Sequence, residues 1–332
     1  MEWLYPVIYV VSLCLGLLFI RLLKGPMLRF GVGGIDINKP NRPKITEAGG
    51  MLLLPGIWIL VLMLVQLEII NPIAYALLFT LTCFAAMGFF DDGFKLFKKE
   101  RGWSRYLANR AVVSFVFTLP FAFLVLPPLF GWCPCSMWTY WYAVAGGILI
   151  MLAASLSNSF AGLNGWEVGS SVIVLAGLTV MAAFSESYTS TLIALCLIML
   201  GAQMALFRFN RYPARVFPGD SGTLLIGSFI GCIVLFIDKW YLAACLFYPH
   251  VFDILLKLKT NRGDISQKRE APYAFDKNHK ITIPKSGKLD FAKFIVKKLG
   301  PMDEKALVKR IHLIVLQNTL FWTLLYILFK II

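Results

Sequence analysis

The chain has 332 residues, 58% of them hydrophobic and 15% charged, with 32 Lys and Arg against 18 Asp and Glu for a formal charge of +14. A soluble domain averages roughly 45–50% apolar and about 25% charged residues, so a mean hydropathy of +0.73 implies apolar surface that meets lipid. This balance excludes disorder, a collagen-like repeat and a disulfide scaffold, and it does not fit a soluble nucleic-acid binder despite the basic pI.

A bilayer core takes about 20 apolar residues per helix. Ten stretches fit: Leu4–Leu23, Met51–Leu67, Ile73–Phe90, Ala111–Leu126, Trp138–Ser157, Val168–Phe184, Thr191–Phe207, Thr223–Ile237, Trp240–Leu256 and Ile311–Phe329. The fourth and eighth are short. The first lacks a basic flank and a small-residue cleavage site, so it reads as an anchor rather than a signal peptide. The fold class expected is all-α: one polytopic membrane domain over residues 1–332 with about ten transmembrane helices.

Orientation follows from Lys and Arg, because basic residues near helix ends stay cytoplasmic. The alternate connections Arg21–Gly50, Asp91–Arg110, Asn158–Glu167, Arg208–Gly222 and Lys257–Arg310 hold 30 of the 32; only Lys239 and Lys330 lie on the other side. Both termini are therefore expected outside and all basic loops inside. The external links are short, so the chemistry is expected on the cytoplasmic face.

Seven cysteines are scattered, five of them inside apolar stretches, and read as small buried hydrophobes. Cys133 and Cys135 flank Pro134, where a disulfide would close a strained ring. The three histidines show no zinc-ligand spacing.

The acids are more informative, because charge near hydrocarbon is expensive and faces a partner, an ion or a water-filled cavity. Asp91, Asp92, Glu167, Asp220 and Asp253 all stand at inner helix ends. Asp91 and Asp92 emerge from an apolar run; as helix neighbours they point about 100° apart. One could act on substrate while the other binds a cation or holds a lysine. Between Ser155 and Gly169, two asparagines, three glycines and Glu167 interrupt two apolar helices without a basic residue. Broken polar backbone at that depth lines a cavity or is buried in protein.

In Phe217-Pro-Gly-Asp-Ser-Gly222, Asp220 begins a helix, where backbone N–H groups favour phosphate oxygens. Hard Mg²⁺ takes a carboxylate or two plus phosphate and water. Arg208, Arg211 and Arg215 offer charge to phosphates or to anionic lipid headgroups. The first inner loop, about residues 24–50, is turn-rich, and its glycines form no dinucleotide fingerprint. In the last inner segment, Leu289, Phe291, Ala292, Ile295 and Leu299 share one helical face, with Lys293, Lys297 and Lys298 elsewhere. That pattern predicts an interfacial helix lying on the cytoplasmic leaflet.

Four stretches together resemble the polyprenyl-phosphate N-acetylhexosamine-1-phosphate transferases: Asp36-Ile-Asn-Lys39 with Arg42–Gly50, Phe90-Asp-Asp92, Asn158–Gly169 and Phe217–Gly222. The motifs stand in family order across nearly the whole chain. The Ala161-Gly-Leu-Asn-Gly-Trp-Glu-Val-Gly169 run is most similar to the archaeal and eukaryotic UDP-N-acetylglucosamine–dolichyl-phosphate branch. The resemblance implies attack by a polyprenyl or dolichyl phosphate on UDP-GlcNAc, releasing UMP. It implies Mg²⁺, with Mn²⁺ as a substitute, held by Asp220 and Asn158. Asp91 and Asp92 match the paired catalytic aspartates; whether Asp91 takes a proton or organises cations is open. Phe217 would stack on uracil, with Asn164, Ile37 and Glu47 around the uridine, and Arg101 would face the pyrophosphate. Lys39 and Glu167 are carried over as further substrate-binding residues.

The eukaryotic enzymes carry an Arg-His-Arg run in the last cytoplasmic loop. Here Gln267-Lys-Arg-Glu-Ala-Pro272 has no histidine, and Arg269 and His279 are the nearest counterparts. The expected partners are UDP-GlcNAc, the lipid phosphate and membrane lipids, with no nucleic acid and a homodimer left open. An archaeal plasma membrane is expected rather than endoplasmic reticulum. The alternatives are another UDP-sugar, an undecaprenyl carrier, or a transporter, which would place ionisable groups near the midplane.

Overall fold

A computed structural model describes residues 3–39, 41–94, 112–124, 137–186, 188–237, 240–260, 273–284 and 288–332. In hydrocarbon every backbone polar group has to be paired within the protein, which apolar segments achieve as helices. The order is α1 (Leu4–Arg29), β1 (Gly33–Ile35), β2 (Lys44–Glu47), α2 (Gly49–Gln66), α3 (Ala74–Phe94), α4 (Val112–Leu124), α5 (Met137–Ser159), α6 (Trp166–Ala183) and α7 (Thr189–Asn210). There follow β3 (Val216–Phe217), α8 (Gly219–Phe236), α9 (Trp240–Ala244), α10 (Tyr248–Thr260), β4 (Ala274–Phe275), β5 (Ile281–Thr282), α11 (Phe291–Leu299) and α12 (Glu304–Ile331).

The chain is an all-α polytopic membrane protein. Among the described residues nine helical segments are long and apolar enough to span, α9 and α10 counting as one; α4 is shorter and occupies the fourth expected span. Helix α8 lies at the centre, packed by α3 and α5. Its membrane window is 83% buried, against 22% for α1 and 28% for α12, which present their apolar sides outward.

Three features depart from the sequence reading. The first inner loop is not turns alone: β1 pairs antiparallel with β2, and β2 pairs parallel with β3, aligning Glu47 with Phe217. Helix α11 does not lie on the leaflet. Phe291, Ala292 and Ile295 are buried in the protein, with the Phe291 ring 5.3 Å from Phe160 and 6.0 Å from Phe252. Leu299 alone of the expected apolar face is well exposed, and Lys293 is buried against Asp290 at 3.0 Å. The physical reason is that α10 offers this short helix both aromatic surface and a buried carboxylate. Cysteines 196 and 232 are buried as expected, whereas Cys14 is exposed on α1. Cys133 and Cys135 lie outside the described residues.

Candidate active site

One end of the helix bundle is built around a cleft of about 280 Å³. The segment from β1 to β2 contributes Ile35, Asp36, Ile37, Asn38 and Glu47; the end of α5, the turn after it and the start of α6 contribute Asn158, Gly162, Asn164 and Glu167; β3 and the start of α8 contribute Phe217, Gly219, Asp220 and Thr223. Segments separated by more than 180 residues thus converge on one space.

Close backbone approach puts Asp220 there. A Cβ on Gly88 of α3 would stand 2.4 Å from the Asp220 carbonyl, and one on Gly50 of α2 would stand 2.2 Å from the Ser221 carbonyl oxygen. Only glycine lets both helices press on the first turn of α8. Gly219, at a φ of +63°, would carry a Cβ 2.5 Å from Asp92 Oδ2, so its bare backbone makes room for that carboxylate. Asp92 in turn accepts a hydrogen bond from the Ser221 N–H at 3.4 Å. Asp91, one residue before it, is also buried. On the cleft side, Thr223 Oγ1 donates to Asn158 Oδ1 at 2.7 Å, linking the two residues' helices.

The other wall is held by ion pairs and amides. Asn164 Nδ2 donates to Asp36 Oδ2 at 2.9 Å, and the Asn164 N–H donates to Glu304 Oε1 at 2.9 Å. Lys39 pairs with both Glu304 and Asp36 and lies 4.5 Å over the Tyr212 ring. Asn38 Nδ2 donates to the Gly162 carbonyl at 3.3 Å. Asn210 accepts from Gly165 N–H at 3.1 Å and donates to the Val216 carbonyl at 3.0 Å, tying the connection to β3. The Tyr273 hydroxyl fills the place a Gly162 Cβ would take. Burial, with Asp290 and Asp253 adding to it, pushes that phenol well above its ordinary value, so a neutral hydroxyl sits there.

Of the residues singled out from sequence, Ile37, Glu47, Asn158, Asn164, Glu167, Phe217 and Asp220 line the cleft together. Asp91 and Asp92 do not line it; Asp92 stands behind the first turn of α8, accepting from the Ser221 N–H. Lys39 does not line it; its ammonium is taken by two carboxylates. His279 stands exposed on the β4–β5 turn and is not brought to the cleft. Arg101 and Arg269 lie outside the described residues. Asp253 is not a site acid: it is fully buried and bonded to Lys257 at 2.7 Å.

Sequence reasoning passed over Asp36, Asn38 and Thr223 as site residues, and Glu304 altogether. Helix α12 begins at Glu304, two turns before the expected Ile311, and those turns carry the carboxylate to Asn164. The Pro301-Met-Asp-Glu304 start signal was available in the sequence; the partnership with Lys39 was not.

The family described as glycosyl transferase family 4 matches residues 74–238. A protein of Saccharolobus solfataricus, provisionally named UDP-N-acetylglucosamine–dolichyl-phosphate N-acetylglucosaminephosphotransferase, is 30% identical over 239 residues, covering 70% of this chain and 71% of that protein. A provisionally named glycosyltransferase of Methanocaldococcus jannaschii is 28% identical over 277 residues, covering 83% and 81%. The phospho-N-acetylmuramoyl-pentapeptide-transferase of Prochlorococcus marinus is 34% identical over 169 residues, covering 49% and 46%.

Proposed function

The chain belongs to glycosyl transferase family 4, within the polyprenyl-phosphate N-acetylhexosamine-1-phosphate transferase superfamily, and we propose that its donor is UDP-GlcNAc and its acceptor a dolichyl-type phosphate. It is a membrane sugar-phosphate transferase; the products of the proposed reaction are GlcNAc-diphosphate-lipid and UMP. One observation carries this reading: Ile37, Glu47, Asn158, Asn164, Phe217 and Asp220, from three separate inner segments, share one cleft. The name of the Saccharolobus relative supports the donor and acceptor. The sidedness of Lys and Arg supports a cleft on the cytoplasmic face with both termini outside. The two archaeal relatives and the lack of a long insert in the final loop support an archaeal plasma membrane.

In this reaction an oxygen of the lipid phosphate attacks the β-phosphorus of UDP-GlcNAc. The bond from that phosphorus to the oxygen shared with the α-phosphate breaks, and UMP leaves with that oxygen. An ionised lipid phosphate has no proton to lose, so positioning and charge neutralisation are the main tasks.

Asp220, Asn158, Thr223 and Glu47 present hard oxygen donors to one space. An ion held by so few protein oxygens would complete its shell with water and phosphate. The donor set fits Mg²⁺ or Mn²⁺, which Asp220 and Asn158 would hold; when bound, the ion would supply charge that neutralises the phosphates. The first turn of α8 adds backbone N–H groups that favour phosphate oxygens. Phe217 gives a flat face for a base. Asp36 is acceptor-only when ionised, so it fixes the Asn164 amide with Nδ2 inward and leaves Oδ1 as an acceptor for a uracil N–H.

The deciding experiment measures release of radiolabelled UMP from UDP-GlcNAc by purified protein with dolichyl phosphate and Mg²⁺. Lipid-dependent release that EDTA stops is the expected result. No release with any UDP-sugar and either dolichyl or undecaprenyl phosphate would sink the proposal.

A further inference from the structure

Behind the cleft wall is a second space, of about 10 Å³, between α5, α6, α7, α10 and the first half of α8. It shares Glu167, Pro218 and Thr223 with the cleft. Three of the residues lining it bury a polar atom that has no hydrogen-bond partner among the described residues: Glu167 Oε2, Gln203 Nε2 and His250 Nδ1. Gln203 is 1% exposed and His250 6%. Buried polar atoms left unpaired are costly, and native proteins pair nearly all of them. A polar space of about 10–15 Å³ holds one water, which takes two to four such partners.

Aromatic packing holds the His250 ring and the residue beside Glu167. The His250 ring lies 4.2 Å from Phe160 and 5.1 Å from Phe247. Phe160 meets Trp166, the neighbour of Glu167, at 5.0 Å. The hydrogen-bond count also closes. A single water can accept from Gln203 Nε2 and donate to Glu167 Oε2 and to His250 Nδ1, provided the imidazole proton sits on Nε2.

We propose that this chamber is a one-water site that ties Gln203 and His250 to Glu167 and fixes how the Glu167 carboxylate faces the cleft. Gln203 and His250 are then positioning residues, neither of which touches substrate. The functional half of this inference rests on the cleft being the transferase site; the water site itself does not.

Cryo-electron microscopy of the full chain in lipid nanodiscs, at a resolution that shows internal waters, tests it directly. One density is expected within about 3.2 Å of all three atoms. Contacts near about 2.1 Å would mark a divalent cation and overturn the proposal; so would an empty chamber. With UDP-GlcNAc as donor, Gln203→Met and His250→Leu are each expected to lower kcat about tenfold, with KM for the donor within about twofold of wild type. His250→Gln, which keeps a hydrogen-bonding group, retains most of the turnover. Wild-type kcat in both apolar variants would overturn the positioning role. If an apolar variant does not fold, the wild-type density decides. A wild-type chain that turns over no UDP-sugar removes the transferase reading, and the density still decides the water site.

Discussion

Two sets of polar groups meet at helix α5, one on each of Asn158 and Ser159, and they are built differently. Around Asp253 every oxygen is spoken for. Lys257 Nζ approaches Oδ2 at 2.7 Å, Phe291 N–H donates to Oδ1 at 2.8 Å, and the Ser159 hydroxyl lies 3.4 Å away. Lys257 also donates to the Ser159 carbonyl at 2.6 Å. The cluster stitches α5, α10 and α11 together with no ligand. Asp220, Asn158 and Glu47 instead border some 280 Å³ of accessible space. The same residue types therefore serve as a clamp where they are fully buried and as a candidate binding surface where they are half-buried. What separates them is whether open space borders the polar groups: it does at Asp220, Asn158 and Glu47 and does not at Asp253.

Asp220→Asn gives the largest effect expected from that difference. Removing the carboxylate charge while keeping the shape is expected to lower turnover on the order of 10³-fold, about 4 kcal/mol of barrier, with unfolding unchanged. Steady-state UMP release beside a thermal melt checks both halves. Wild-type turnover would remove Asp220 from the site.

Asp253→Ala reverses the pattern. It strands a buried lysine, which costs about 3–5 kcal/mol of stability, while the protein that remains folded keeps its kcat. The double change Asp253→Leu with Lys257→Met sharpens the comparison. Replacing both charges by apolar groups is expected to recover most of the loss, because a buried pair contributes little beyond its own desolvation. A double variant as unstable as the single one would show that the N–H of Phe291 and the Ser159 groups, not the ion pair, dominate the clamp.

Gly88→Ala joins the two measures. A Cβ 2.4 Å from the Asp220 backbone has nowhere to go without moving α8 away from α3. Overpacking of this kind costs about 1–3 kcal/mol. A shift of about 1 Å at a reacting centre can cost roughly 10²-fold in rate. Loss of activity larger than the loss of stability would place the effect in the position of Asp220.

Most of the architecture was legible because lipid imposes one rule on every span, and the apolar runs obey it. The lining of the cleft was legible where a residue type was out of place for its surroundings, as with Asn158, Asn164 and Glu167 between two membrane helices. Pairing across long separations was not. Nothing local in Lys39 says that Glu304, 265 residues away, takes its charge, and nothing in Glu47 says that Phe217 lies beside it in a parallel register. The α11 face misled for a related reason: amphipathic periodicity reports that a helix has an apolar side, not whether lipid or protein covers it.

His279 supplies the smallest expected effect and the sharpest check on where the site ends. It occupies the turn between β4 and β5 with a φ of +57°, and its N–H donates to the Asp276 carbonyl at 3.1 Å. The Asp276 carboxylate also accepts from the N–H groups of Asn278 and Lys280, so the turn is built by Asp276 rather than by the imidazole. His279→Ala is expected to leave kcat/KM within about twofold and stability within about 0.5 kcal/mol, as for an exposed position without special contacts. His279→Gly is expected to stabilise slightly, because glycine adopts positive φ without strain. A tenfold fall in kcat/KM with unchanged stability would instead mean that this hairpin reaches the donor during turnover, and the boundary drawn at the cleft wall would have to move outward to include it.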